Sequence, residues 1–199
     1  DHPDLNGTMK FNWAEIPNNN IDDDNNGFVD DYMGWDFGGL TGTPDNNPME
    51  DRPDHGTHVA GISASVTDNG VGVASPAYKS KWLAVKTSQD NNRNSSGQPY
   101  IVYGYEGITY AADRGAKVIN CSWGGGGYSI LGQQVIDYAM SKGALVVGAA
   151  GNSNSSSPHF PSGYRGVVSV ASTDNGDLKS GFSNYGTTID VSAPGSSIY

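Results

Sequence analysis

The feature that most constrains this chain is an alternation of short apolar runs with segments of helical period. KWLAVK (Lys81–Lys86), KVINCSW (Lys117–Trp123), ALVVGAA (Ala144–Ala150) and GVVSVAS (Gly166–Ser172) are rich in β-branched residues. Continuous apolar runs of this length read as strands buried on both faces. Ile101, Tyr105, Ile108 and Ala112 recur at helical spacing ahead of Gly115, and Ile130, Val135, Ala139 and Met140 do so ahead of Gly143. A glycine just past a periodic segment closes a helix. Strand, helix, strand, helix, strand predicts an α/β fold: a doubly wound, mostly parallel sheet with helices on both faces. Ligands of such sheets bind beyond the carboxyl ends of the strands. Two glycine-rich runs fall there, SWGGGG (Ser122–Gly127) and GAAGNSNSSS (Gly148–Ser157).

The chain has 199 residues, enough for one sizeable core, so a single domain over residues 1–199 is expected. Residues 1–54 are dense in Asn, Asp, Gly and Pro and read as loops, while residues 55–199 hold the alternating strands and helices. QDNNRNSSGQP (Gln89–Pro99) reads as a polar surface loop. Lys and Arg total 11 against 21 Asp and Glu, a net charge of −10. With no basic run, nucleic acid and anionic membrane surfaces are disfavoured as partners. The longest apolar stretch, Gly143–Gly151, is too short to span a bilayer. Cys121 is the only cysteine, which rules out an internal disulfide.

Within the loop-rich portion, Asp22-Asp23-Asp24-Asn25-Asn26-Gly27-Phe28-Val29-Asp30 fits D-x-D-x-[DN]-G-x-x-D. Alternating oxygen side chains at Asp22, Asp24 and Asn26 can face one hard cation, Phe28 can offer its carbonyl, and Asp30 or Asp31 can close the shell. Met33 stands where an EF-hand would carry its bidentate Glu. Ca²⁺ is the cation this donor set suits, and a solvated acidic loop is the alternative reading. A weaker second group is Asp45, Asn46, Asn47 and Glu50.

The segment with most chemistry is Asp54-His55-Gly56-Thr57-His58-Val59-Ala60-Gly61. His55 precedes a small-residue run that reads as the opening of a buried helix, where an imidazole is held rigidly enough to act as a base. His55-x-x-His58 also has the spacing of a metal pair, but HExxH is absent and neither His2 nor His159 has ligand spacing to it.

This string resembles the histidine motif of the subtilisin-like serine proteases, the subtilases, and the resemblance continues in order along the chain. Asp1–Leu5 (DHPDL) resembles the segment after that family's catalytic aspartate. VINCSWGG (Val118–Gly125) resembles the strand and loop bordering its substrate groove. VVGAAGNSN (Val146–Asn154) resembles its oxyanion-asparagine motif, and FSNYGTTIDVSAPG (Phe182–Gly195) the stretch leading to its nucleophile. The resemblance implies that His55 is the general base and that Asn152 donates its side-chain amide to the oxyanion. It implies that Ser122, Trp123, Gly124 and Gly125 form one wall of the main specificity pocket and Ala149, Ala150 and Gly151 another. Gly97 and Tyr100 would lie on the opposite rim, pairing with an extended peptide by strand addition. His159 is placed at the pocket floor, where an imidazole would disfavour basic side chains. Subtilases with similar acidic insertions use calcium to brace loops, and the family implies secretion.

Two members of the triad have no counterpart here. Asp1 adjoins His2 and does not match the family's aspartate, and neither a GTS motif nor a G-x-S-x-G elbow occurs. The expectation is a peptidase domain truncated at both ends, inactive alone, belonging to a serine endopeptidase that works through an acyl-enzyme. The alternative is a non-catalytic relative that binds peptide or calcium. Asp54 stands where the family commonly has Gly.

Overall fold

A computed structural model describes residues 2–40, 42–50, 55–95, 97 and 99–198. They fall into two compact units, Asp1–Gly107 and Ile108–Tyr199. Asp54 lies outside the described residues.

In the first unit, β1 (Gly34–Asp36) pairs in parallel with β2 (Ala84–Lys86). The expected strand at Lys81–Lys86 is thus shorter, with Trp82 making only an isolated bridge to Met9. At the end of this pair a buried Lys86 ammonium lies 2.7 Å from Asp36 Oδ2 and also meets Asp90. The other Asp36 oxygen accepts from the Gly38 and Gly39 N–H groups. Burial alone would lower the Lys86 pKa, but the two carboxylates outweigh it and hold the ammonium above the usual lysine range.

The polar stretch after β2 is a hairpin rather than the expected surface loop. β3 (Ser88–Arg93) runs antiparallel to β4 (Pro99–Ile101). Arg93 closes it, donating from Nε to the Asp90 carbonyl and from Nη1 to the Gly97 carbonyl, both at 3.1 Å. A strand with no apolar face leaves no alternation to read in the sequence, so composition conceals it.

In the second unit, β5 (Val118–Cys121), β6 (Leu145–Ala149), β7 (Val167–Thr173) and β8 (Val191–Pro194) form a parallel sheet in that order. The fold is α/β. Helix α3 (Ile130–Ser141) makes the crossover from β5 to β6 and packs on β6. Ser129 caps it by accepting from the Gly132 N–H. Fully buried Ile136 and Val146 anchor this unit, each worth about 1.5–3 kcal/mol of apolar burial. The other two crossovers are loops, residues 150–166 and 174–190. Burial along β5 and β7 alternates, Ile119 and Cys121 being covered while Val118 is exposed. Helix α2 (Gly104–Asp113) spans the division between the units and ends before Gly115, as the spacing predicts.

Candidate functional site

In the first unit, His55 is the opening residue of α1 (His55–Ala64). The helix is not buried as expected: Ala64 is covered, but His55, Gly56, His58 and Ile62 are exposed. Small residues let the helix form but give it little side chain with which to bury itself. Its first turn is fixed by Glu50, whose Oε2 accepts from the Thr57 N–H at 3.2 Å and from the Thr57 hydroxyl at 2.8 Å. A carboxylate here satisfies an orphan amide and complements the positive end of the helix. Glu50 is therefore engaged at the helix start. Asp45 accepts from the Asn47 N–H.

The acidic loop folds around buried side chains. Asn18, Asn20, Asn25 and Asp30 adopt left-handed backbone conformations, which explains why this stretch is so rich in Asn and Asp. Carboxylate oxygens of Asp22 and Asp24 come together with one from Glu15, all within 4.8 Å of one another. Glu15 was not singled out by the sequence; it precedes the motif and is separated from it by the turn at 17–21. Its Oε1 accepts from the Asp23 N–H and its Oε2 from the Asp30 N–H. Burial raises the Glu15 pKa, with the charges of Asp24 and Asp31 acting the same way. The structure turns Asp30 elsewhere: its two oxygens accept from the Asn19 and Asn20 N–H groups. Asn26 Oδ1 accepts from the Phe28 N–H, and its Nδ2 donates to Asp31.

Gly97 and Tyr100 lie on the β3–β4 hairpin, Gly97 in the turn and Tyr100 half exposed on β4. β4 pairs with β3 along one edge, and its other edge is unpaired among the described residues.

In the second unit, β5 and β6 are parallel neighbours with Cys121 in register with Gly148. Ser122–Gly125 and Ala149–Gly151 therefore leave the same carboxyl-end edge of the sheet. Ser122 Oγ accepts from Asn120, and Trp123 is half buried. The Gly125 N–H donates to the Phe160 carbonyl at 2.8 Å, drawing the segment at His159 against both runs. His159 Nδ1 lies 3.2 Å from the Ala149 carbonyl, within hydrogen-bond reach. A Cβ at Gly124 would come within 2.3 Å of the His159 ring, and one at Gly151 within 2.9 Å. The imidazole is thus gripped between two positions that only glycine can fill. The structure brings Gly124, Gly125, Ala149, Gly151 and His159 together. Ala150 is buried and ties back to β7 through its N–H to the Val170 carbonyl. Burial pushes the Cys121 thiol up to about 12, which leaves it a packing residue.

Asn152 follows in an exposed bend. Its neighbours Gly151, Ser153, Asn154 and Ser155 are each hydrogen-bonded to residues 179–185. Asn152 itself makes no hydrogen bond among the described residues. An exposed amide on an immobilised turn at the carboxyl end of a parallel sheet is suited to polarising a carbonyl oxygen.

A sequence profile of peptidase family S8, the subtilase family, matches residues 1–199. Thermitase of Thermoactinomyces vulgaris is 46% identical over 166 residues, covering 83% of this chain and 56% of thermitase. The halolysin-like extracellular serine protease Nep of Natrialba magadii is 41% identical over 179 residues, 90% of this chain and 31% of that protein. Among solved structures, a protease from Pseudoalteromonas arctica PAMC 21717 superposes with a TM-score of 0.63 at 39% identity. That match covers 71% of this chain and 43% of the other. The chain spans little more than half the length of thermitase and less of the others.

Proposed function

The chain belongs to the subtilase family of serine peptidases, and from that premise we propose that residues 1–199 are part of the peptidase domain of a serine endopeptidase. In this reading His55 is its general base and Asn152 its oxyanion donor. The observation that carries the reading is the turn at 151–155, tied down on both sides of an unengaged Asn152. In the whole protein, His55 takes the proton from a serine hydroxyl as its oxygen attacks the scissile carbonyl. The Asn152 amide N–H meets the negative charge that develops on the carbonyl oxygen. His55 then returns the proton to the departing amine, and water resolves the acyl-enzyme by the same exchange. The serine and an orienting carboxylate are not identifiable by motif in these 199 residues.

The substrate is an extended peptide. Ser122–Gly125 and Ala149–Gly151, with His159 between them, supply pocket walls, and Tyr100 lies on a strand with an open edge for pairing. The cofactor is Ca²⁺ in a structural role. Glu15, Asp22 and Asp24 provide the hard, anionic oxygens it requires, in a group tight enough for one ion. Calcium there would offset most of the charge of the three carboxylates and pin residues 12–31. The extracellular relatives support a secreted protein, and among the described residues no helix is long and apolar enough to cross a membrane.

Hydrolysis of a chromogenic peptide by the whole protein and its His55→Ala variant tests the reading. Turnover that falls by at least a thousandfold in the variant is expected. No turnover by the unaltered protein, with peptide still bound, favours the non-catalytic relative instead.

A further inference from the structure

We propose that Asn184 is the positioning residue for Asn152, holding the oxyanion turn in its working shape; this rests on the reading of Asn152 as the oxyanion donor. Asn184 is 4% exposed, thirty-two positions along the chain from Asn152, in the loop between β7 and β8. Its Oδ1 accepts from the Ser153 N–H at 2.9 Å and from the Ser155 N–H at 3.2 Å. Its own N–H donates to the Gly151 carbonyl at 2.9 Å. One residue thus grips the chain immediately before and immediately after Asn152. Its Nδ2 sits where a Cβ at Gly151 would come within 2.6 Å, so Gly151 is needed for the approach.

The surrounding contacts extend the grip. The Asn154 N–H donates to the Phe182 carbonyl at 2.8 Å, and the Tyr185 N–H to the Ser155 carbonyl at 3.1 Å. Lys179 Nζ donates to Asn154 Oδ1 at 2.9 Å and to the Ser183 carbonyl at 3.1 Å. These contacts secure the far end of the turn, but among the described residues only Asn184 spans it. A buried amide oxygen shared by two N–H groups has no substitute once removed: both donors would then need new partners. The turn would rotate, and the Asn152 amide would move away from the oxyanion position. Oxyanion stabilisation depends on donors fixed before the charge appears, so a mobile Asn152 loses much of its effect.

The test is a double-mutant cycle on the whole protein, measured as kcat and KM for a peptide substrate. Asn152→Ala is expected to lower kcat by about 100- to 1000-fold, the size already established for removing such a donor in subtilisin. Asn184→Ala is expected to lower kcat by about 10- to 100-fold with KM within about twofold, and to cost less than about twofold when added to Asn152→Ala. Asn184→Asp keeps acceptor oxygens for both N–H groups and is expected to hold kcat within about tenfold. If Asn184→Ala does not fold, Asn184→Ser, whose short hydroxyl cannot serve both donors, replaces it in the same cycle. Unchanged kcat in the Asn184 variant, or a loss that persists undiminished in the Asn152→Ala background, overturns the positioning role while leaving Asn152 intact. Unchanged kcat in Asn152→Ala overturns the premise, and the proposal with it.

Discussion

Glu50 accepts two hydrogen bonds from Thr57, one from its backbone N–H and one from its hydroxyl, at the first turn of the helix that begins with His55. On the proposed reading of His55 as the general base, the contact connects helix capping to catalysis, because the geometry of such a base is only as good as the backbone beneath it. Glu50→Ala is expected to cost about 0.5–2 kcal/mol of stability, the range for losing a side-chain cap. It should also lower kcat of the whole protein by about tenfold with KM little changed, since a displaced base loses alignment rather than affinity. Thermal melts and steady-state kinetics check both. Unaltered kcat alongside a lowered melting temperature would separate the cap from the chemistry.

Chelation of the whole protein is expected to lower its melting temperature. Saturation at a hundred times Kd is worth about 2.7 kcal/mol. Glu15→Gln removes one charge from the group formed with Asp22 and Asp24, and should shrink the difference between calcium-loaded and chelated melts. An identical difference in the variant would place the effect elsewhere.

Lys86 sits buried between Asp36 and Asp90. Lys86→Ala leaves two carboxylates without their counter-charge and is expected to destabilise by about 3–5 kcal/mol. Replacing Lys86 and Asp36 together by apolar residues should cost less than the sum of the single changes. The Lys86 pKa is raised, so its contribution is complete below the ordinary lysine range and is lost only as pH climbs through the raised value. Denaturant titrations read all three variants.

Acid acts through Asp4. The side chain of Asn69 and the N–H of Val73 both donate to its carboxylate and hold its pKa below the usual range. Its folded-state pKa is depressed, so its contribution is present above the ordinary carboxylate range and is lost as pH falls through the lowered value. Asp4→Asn should therefore flatten the acid limb of the stability curve and leave the alkaline limb unchanged.

What was legible in the sequence was local. His55 and Asn152 stand in short motifs whose neighbours reveal the turn and helix around them, and the apolar runs marked β5, β6 and β7 directly. β8 was not separately marked, because Val191–Pro194 is short and ends in proline. The rest depends on contacts between distant segments. Nothing near Gly124 announces that its missing side chain makes room for His159. Glu15 joins Asp22 and Asp24 only because the turn between them folds back, and the linear motif pointed instead to Asp30, whose oxygens accept from the Asn19 and Asn20 N–H groups. The sequence likewise placed Asn184 in a family-like stretch without indicating that it grips the turn bearing Asn152.

The most direct test is covalent labelling of the whole protein with a fluorophosphonate, followed by intact mass. A fluorophosphonate captures a serine only when a base activates it and the site accommodates the tetrahedral phosphoryl oxygen. Labelling of one serine per molecule in the unaltered protein, and a rate at least about a thousandfold lower in His55→Ala, is the result predicted. Labelling at the same rate in His55→Ala, or no labelling of the unaltered protein, would contradict the assignment of His55 as the base of a serine peptidase.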